Sequence, residues 1–104
     1  MATNASDLLD AIAEPTRRSI VERLVTEPSS VSDIARAMPI SRSAVSQHLK
    51  VLKSVGLVHD RAEGTRRIYH VDPGALELIR SYFDLFWKRS LVAFRDTVEH
   101  KEQP

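Results

Sequence analysis

Residues 41–53 of this chain combine an apolar repeat with side chains that can bind phosphate and hydrogen-bond to bases. Val45, Leu49 and Leu52 recur at i, i+4 and i+7, which predicts an α-helix with one buried face. The side chains on the other face are cations, hydroxyls and one amide: Arg42, Ser43, Ser46, Gln47, Lys50 and Lys53.

Such a mixture suits a helix in the major groove of DNA, where cations meet phosphates and short polar groups meet base edges. Because helices of this kind read bases with their N-terminal half, four residues are the expected base-reading set: Arg42, Ser43, Ser46 and Gln47. Gln47 can pair with adenine. The alternative is an ordinary solvated helix face, and the surrounding elements have to decide between the two.

Ser41 and Gly56 predict the limits of this helix, as its N-cap and as the residue after its C-terminus. Before it, helices are predicted over residues 7–13, with Ser6 as the cap, and over residues 15–26.

Ser30, followed three residues later by Asp33, opens a short third helix that runs to Pro39. The third and fourth helices are then separated by only three or four residues, which is the spacing of a helix-turn-helix.

Two β-compatible runs, residues 57–61 and 66–71, flank a turn at residues 62–65 and predict a hairpin with arginines at its tip. Together with the fourth helix, this hairpin carries the residues expected to contact the DNA backbone: Ser41, His48, Lys50, Lys53, Arg61, Thr65, Arg66 and Arg67. For His48, a packing or phosphate-adjacent position without a titratable role is the more common explanation. The distribution of charge also favours DNA binding, because residues 41–67 hold six cations and two acids in a chain whose net charge is only +1.

Composition narrows the class of protein. With 104 residues, 42% hydrophobic and 28% charged, the chain is expected to form one globular domain, residues 1–104. It has no cysteine, so a disulfide, a thiolate metal site and a cysteine nucleophile are all excluded. No apolar run is long enough to cross a membrane, and the N-terminus lacks the pattern of a secretion signal, so a cytoplasmic protein is expected.

The last predicted helix, from residue 74 to about residue 100, holds five of the six aromatic residues and is apolar on more than one face. At about 1.5 Å per residue it should project beyond its own core. This favours a symmetric homodimer, assisted by the first helix, although a helix sandwiched inside one chain would show the same pattern. The predicted interface comprises Leu8, Leu9, Ile12, Ile79, Phe83, Phe86, Trp87, Leu91 and Phe94.

Four segments together resemble the ArsR/SmtB family of bacterial winged helix-turn-helix repressors: residues 14–18 (EPTRR), 43–52 (SAVSQHLKVL), 56–58 (GLV) and 64–69 (GTRRIY). The resemblance covers nearly the whole chain. It implies a mainly α fold with a β-hairpin wing, in the order α-α-α-α-β-β-α. It also implies a homodimer that binds an imperfect inverted repeat in a promoter, commonly its own, and represses transcription until a signal releases it.

The sensing chemistry known from many members of that family is missing here. The third helix has no cysteine, and the last helix lacks the family's paired carboxylate and histidine ligands. Asp96, Glu99 and His100 share a helical face, but a solvated helix end explains them better than a metal site. No cofactor is therefore expected. A small apolar effector between the aromatic helices stays open, as does the absence of any signal.

The expected function is that of a sequence-specific DNA-binding regulator of transcription. Catalysis is not expected, since Ser46 and His48 lie on different sides of their helix and no glycine-rich phosphate loop is present. The alternatives are a winged-helix module that binds another protein and an architectural protein that binds DNA without sequence preference.

Overall fold

The computed structural model describes residues 3–102, and the side chains of residues 3–100. Its elements follow one another in the predicted order of four helices, a hairpin and a long final helix. They are α1 (Ala5–Ala13), α2 (Pro15–Thr26), α3 (Val31–Ala37), α4 (Arg42–Ser54), β1 (Val58–Glu63), β2 (Arg66–Val71) and α5 (Pro73–Glu102).

Helix α1 begins two residues earlier than predicted, because Asn4 caps it and Ser6 does not. The Asn4 side chain accepts a hydrogen bond from the backbone N–H of Asp7 at 2.9 Å and donates one to the Asp7 carboxylate, also at 2.9 Å. Both ends of the Asn4 amide are thus satisfied, which favours this cap over serine.

Glu14 joins α1 to α2. It is the N-cap of α2, with Pro15 in the first turn, and its carboxylate accepts a hydrogen bond from the backbone N–H of Arg17 at 2.7 Å. In return, Nε of Arg17 donates to the carbonyl oxygen of Ala11 near the end of α1, at 2.7 Å. Hydrogen bonds from the backbone N–H groups of Arg17 and Thr16 hold the pKa of the Glu14 carboxyl below its ordinary value.

The predicted capping signature opens α3: Ser30 accepts from the backbone N–H of Asp33, and Asp33 accepts from that of Ser30. This reciprocal pair satisfies two N–H groups that the first helical turn leaves without partners. The helix is short and buries Ile34 completely.

Apolar residues from the four small helices, the start of β1 and the first turn of α5 form one core. Its fully buried members include Leu8, Ile20, Ile34, Val45, Leu49, Leu52, Leu57 and Val58. Since α4 contributes Val45, Leu49 and Leu52, the buried stripe predicted from the sequence is confirmed.

Strands β1 and β2 pair in antiparallel register from Val58 opposite Val71 to Glu63 opposite Arg66. Strand β2 has the predicted limits, whereas β1 begins one residue later and ends two residues later than predicted, which leaves only Gly64 and Thr65 in the turn. Gly64 adopts a φ of +64°, the left-handed conformation that this tight turn needs. At its base the hairpin is anchored by two backbone hydrogen bonds between Tyr69 and Ser29, at 2.9 and 3.1 Å.

Helix α5 has 30 residues and is therefore about 45 Å long. Only its first turns, with Ala75 buried and Ile79 partly buried, pack on the core beside α1. The radius of gyration is 18.5 Å, against about 13 Å expected for a compact chain of this length. The prediction that this helix projects beyond the core is confirmed. Among residues 3–102, no helix combines the length and the apolar character that crossing a bilayer requires.

Candidate nucleic-acid interface

Helix α4 presents a mainly polar face to solvent. Ser41 caps the helix by accepting a hydrogen bond from the backbone N–H of Ala44 at 3.1 Å. The six side chains predicted to face outward are all exposed: Arg42, Ser43, Ser46, Gln47, Lys50 and Lys53. The apolar Val51 is also exposed, at 39%. The helix can therefore offer donors and cations along its whole outer face.

His48 does not belong to that face. Its side chain is only 24% exposed, and its Nδ1 lies 3.9 Å from a carboxylate oxygen of Glu14 at the α1–α2 junction. The side chain contacts the body of the domain, so of the two positions that the sequence left open, packing fits better than one next to a phosphate.

The wing, defined here as β1, β2 and the turn between them, carries its four predicted residues on the surface: Arg61, Thr65, Arg66 and Arg67. Arg61 lies near the tip, 3.9 Å from the carboxylate of Glu63, a loose contact between two exposed side chains. Arg66 and Arg67 are held more firmly, because each donates hydrogen bonds to groups of the same chain.

Arg66 connects the wing to the start of α3. It donates a hydrogen bond to the Ser30 hydroxyl at 2.8 Å and contacts the carboxylate of Asp33, which Arg36 also contacts. Hydrogen bonds from Ser30, together with the nearby charge of Arg66, keep the pKa of Asp33 below its ordinary value. The carboxylate therefore stays ionised and retains the arginine at neutral pH.

Asp60 on β1 binds two of the predicted DNA-contacting cations. Its carboxylate lies 2.7 Å from Nζ of Lys53 and 2.9 Å from Nε of Arg67, and its side chain is only 7% exposed. Hydrogen bonds from Lys53 and Arg67 lower the pKa of Asp60.

The sequence reasoning missed Asp33 and Asp60 as members of this surface. For Asp60 a signal existed: in the observed register it lies diagonally across the hairpin from Arg67, which is within reach of a long side chain. For the contact between Asp33 and Arg66, 33 residues apart, the sequence contains no such signal.

A cleft of about 250 Å³ lies where the wing meets the starts of α3 and α4. It is lined by hydroxyls and guanidinium groups from Ser30, Ser32, Arg42, Thr65, Arg66 and Arg67. The fold thus brings Arg42, predicted to read bases, next to the wing residues predicted to contact phosphates. A cleft with these donors can accept an anion of the size of a phosphate group.

The predicted dimer residues fall into two groups. Leu8 is fully buried and has no surface left for a partner, so its place in the interface has to be corrected: it belongs to the core of the single chain. Ile12 and Ile79 are partly buried against that core and Leu9 is half-buried. The α5 residues are exposed: Phe83, Phe86, Trp87, Leu91 and Phe94.

The wing is also connected to α5. Nε2 of His59 on β1 lies 2.8 Å from the carboxylate of Asp72, whose other oxygen accepts a hydrogen bond from the backbone N–H of Gly74 at 2.8 Å. These hydrogen bonds to His59 and to the backbone lower the pKa of Asp72. The sequence analysis did not foresee this role for His59.

The carboxylates of Asp96 and Glu99 lie 3.7 and 4.0 Å from Nε of Arg95. Within the described part of this single chain, no group of three or more His, Asp or Glu side chains is arranged to hold a metal ion.

Comparison with known proteins relates this chain to regulators of transcription. A family model described as a helix-turn-helix domain matches residues 12–61. The chain is 51% identical over 89 residues to the HTH-type transcriptional regulator Rv2034 of Mycobacterium tuberculosis, which covers 86% of this chain and 83% of that protein.

It is also 34% identical over 85 residues to a transcriptional repressor SmtB homolog of Synechocystis sp., covering 80% of this chain and 64% of that protein. Among solved structures, an ArsR-like transcriptional regulator from Rhodococcus sp. RHA1 matches with a TM-score of 0.76 and 26% identity. That match covers 91% of this chain and 90% of the other.

Proposed function

Because this chain belongs to the ArsR/SmtB family of winged helix-turn-helix transcriptional regulators, we propose that it acts as a homodimer that binds an imperfect inverted repeat in promoter DNA and represses transcription. The observation that carries the proposal is the outer face of α4, on which the six predicted polar side chains are all exposed and suited to DNA. We place this activity in the cytoplasm, where bacterial promoters lie, and we include autoregulation, since repressors of this family commonly control their own promoters.

In this proposal α4 enters the major groove. Its N-terminal half reads bases through Arg42, Ser43, Ser46 and Gln47, with Gln47 paired to adenine. The contacts to phosphates come from the rest of the surface: Ser41, Lys50, Lys53, Arg61, Thr65, Arg66 and Arg67. His48 faces the body of the domain, close to the carboxylate of Glu14, and supports the position of α4.

The exposed apolar residues in the second half of α5 are the argument for a homodimer. Trp87, Leu91, Phe94 and Val98 recur at spacings of four, three and four residues, and all four are exposed in the single chain. Such a seam is typical of two helices that pack side by side. An inverted repeat then follows from the symmetry of the dimer, with half-sites about one turn of DNA apart.

A small apolar molecule remains a candidate effector. Since the aromatic side chains of α5 are exposed in one chain, a cavity for such a molecule would form only where two chains meet.

The experiment that tests this function is selection of bound duplexes from a random DNA pool, followed by sequencing and by titration of the enriched duplex against salt. We expect an enriched inverted repeat and an affinity that falls steeply as salt increases. Gln47→Ala should change the base preferred at one position of each half-site. Failure to enrich any repeat, with binding that is sensitive to salt, would point to an architectural protein.

The wing is tested by Arg66→Glu combined with Arg67→Glu. This variant should weaken binding to all sequences and reduce the salt slope by about 2 for each chain, because two phosphate contacts are lost. The matched control is Lys88→Glu combined with Arg89→Glu, which changes the net charge equally at two exposed residues of α5. Equal DNA affinity of these two variants would refute the role of the wing. No DNA binding by the wild type even at low salt would favour a module that binds protein through α5.

A further inference from the structure

Three charged groups from three different elements meet at one point of the proposed DNA-binding surface. Lys53 comes from the last turn of α4, Asp60 from β1 and Arg67 from β2. The Asp60 carboxylate lies 2.7 Å from the lysine nitrogen and 2.9 Å from the arginine nitrogen. We call these three residues the Lys53–Asp60–Arg67 cluster.

The acid of the cluster is much more buried than the two cations that it binds. Asp60 is 7% exposed, whereas Lys53 and Arg67 are 54% and 58% exposed. A carboxylate removed from water needs charged or hydrogen-bonding partners, so Asp60 holds both cations in place. The cations keep most of their surface in solvent, and the cluster retains a net charge of +1. It can therefore bind phosphate while its geometry is set from within.

The cluster also connects α4 to the wing, the two parts of the protein that are proposed to bind DNA at the same time. The base of the hairpin is anchored by the hydrogen bonds between Tyr69 and Ser29, and Arg66 connects the wing to α3. Among the described residues, the side-chain ion pairs between the wing and α4 are those of this cluster, through Lys53 and Asp60. Asp60 therefore contributes to the orientation of the wing relative to α4, together with these other contacts.

We propose that Asp60 is a positioning residue for DNA recognition: by holding Lys53 and Arg67, it sets the wing at a fixed distance from α4, so that phosphate contacts form only when α4 is in register with its bases. This inference rests on the proposed function. It assigns to an acidic residue, which by its charge repels DNA, a contribution to sequence preference.

The charge and the position of Asp60 predict opposite effects, which makes the test sharp. Asp60→Asn removes one negative charge, so affinity for any duplex should be unchanged or higher. If Asp60 positions the wing, however, the affinity for the selected duplex should not rise with the affinity for other duplexes. We expect the ratio of affinities for the selected duplex and a scrambled duplex of equal length to fall about tenfold, a change within the range of coupling between residues that share one salt-bridge network.

The matched control is Glu63→Gln, which removes the same charge from the same strand at an exposed residue that contacts only Arg61 loosely. It should leave the ratio within about twofold of the wild-type value. An equal ratio for Asp60→Asn and Glu63→Gln, with a selective wild type, would overturn this inference and leave the proposed function intact. A wild type that binds both duplexes equally would overturn both.

A second pair of variants decides the matter if Asp60→Asn does not fold, as judged by circular dichroism. Arg67→Gln removes one arm of the cluster and leaves Lys53 paired with Asp60, whereas Arg61→Gln removes an equal charge from the same wing. Arg61→Gln should weaken binding to both duplexes alike, and Arg67→Gln should also lower their affinity ratio. Equal losses of ratio in the two variants would contradict the positioning role.

Discussion

Phe94→Ala tests whether the projecting half of α5 forms the dimer. Phe94 is 68% exposed in the single chain and contributes nothing to the described core. The substitution should therefore leave the protomer folded and act on association alone. Its effect should be large, because a symmetric dimer loses two phenylalanine side chains at once.

The magnitude follows from the exposed area. A phenylalanine side chain buries about 150–250 Å² when fully covered, so the exposed part of Phe94 can bury about 100–170 Å². At about 25 cal/mol per Å² this corresponds to about 2.5–4 kcal/mol for each copy. Allowing for the methyl group that alanine keeps and for incomplete coverage, we expect the dimer to lose about 2–5 kcal/mol. The dissociation constant should rise roughly 30- to 4,000-fold.

Sedimentation equilibrium across a range of protein concentrations measures this change directly. Trp87 provides a second readout, since it is the only tryptophan of the chain and is 64% exposed without a partner. Its emission should shift to longer wavelength as the dimer is diluted and dissociates.

Lys88→Ala serves as the control for this prediction. Lys88 belongs to a stripe of α5 that is polar except at Val92 and includes Glu77, Ser81, Asp84, Arg95 and Glu99. Its removal should leave the dissociation constant nearly unchanged. A wild type that is monomeric at micromolar concentration, or equal dissociation constants for Phe94→Ala and Lys88→Ala, would refute the assignment of α5 to the dimer interface.

Three further predictions concern stability. Ser30→Ala should lower the free energy of unfolding in urea by about 1–2 kcal/mol, because α3 loses its N-cap, whereas Ser32→Ala should change it by less than about 0.5 kcal/mol; similar losses would contradict the capping role. Gly56→Ala and Gly64→Ala should each lower the melting temperature, because both glycines have positive φ. The first should cost more, since Gly56 is partly buried at the end of α4 whereas Gly64 is exposed at the hairpin tip, and a larger loss at Gly64 would refute this reasoning. The ionised Asp60 carboxylate stabilises the fold above its ordinary pKa of about 4, and this contribution is lost as the pH falls through the lowered value of the folded state. As the pH is lowered, the melting temperature of Asp60→Asn should therefore fall less steeply than that of the wild type. Parallel curves of melting temperature against pH would contradict this contribution of Asp60.

Much of the fold could be predicted because its signals are local. The spacing of Val45, Leu49 and Leu52 identified the buried face of α4, and the pair Ser30 and Asp33 identified the start of α3. The errors were also local. Ser6 and Asn4 are both good N-caps, and only the hydrogen bonds made with Asp7 decide between them.

The candidate site was predicted less completely. The outward residues of α4 followed directly from helical spacing, so they were found, but the acidic partners of Lys53, Arg66 and Arg67 were not. Leu8 was assigned to a dimer interface because an apolar residue on a helix has the same pattern whether it faces its own core or another chain.

By itself, the sequence determined the order of the elements, the limits of α2 and α4, the polar face of α4 and the projecting last helix. These depend on the intrinsic preferences and periodicity of neighbouring residues. Only the tertiary structure decided that Asp60 binds Lys53 and Arg67, that Asp33 binds Arg66, and that His48 faces inward. Ion pairs and burial depend on which distant segments meet in space, and composition and spacing along the chain do not encode those distances.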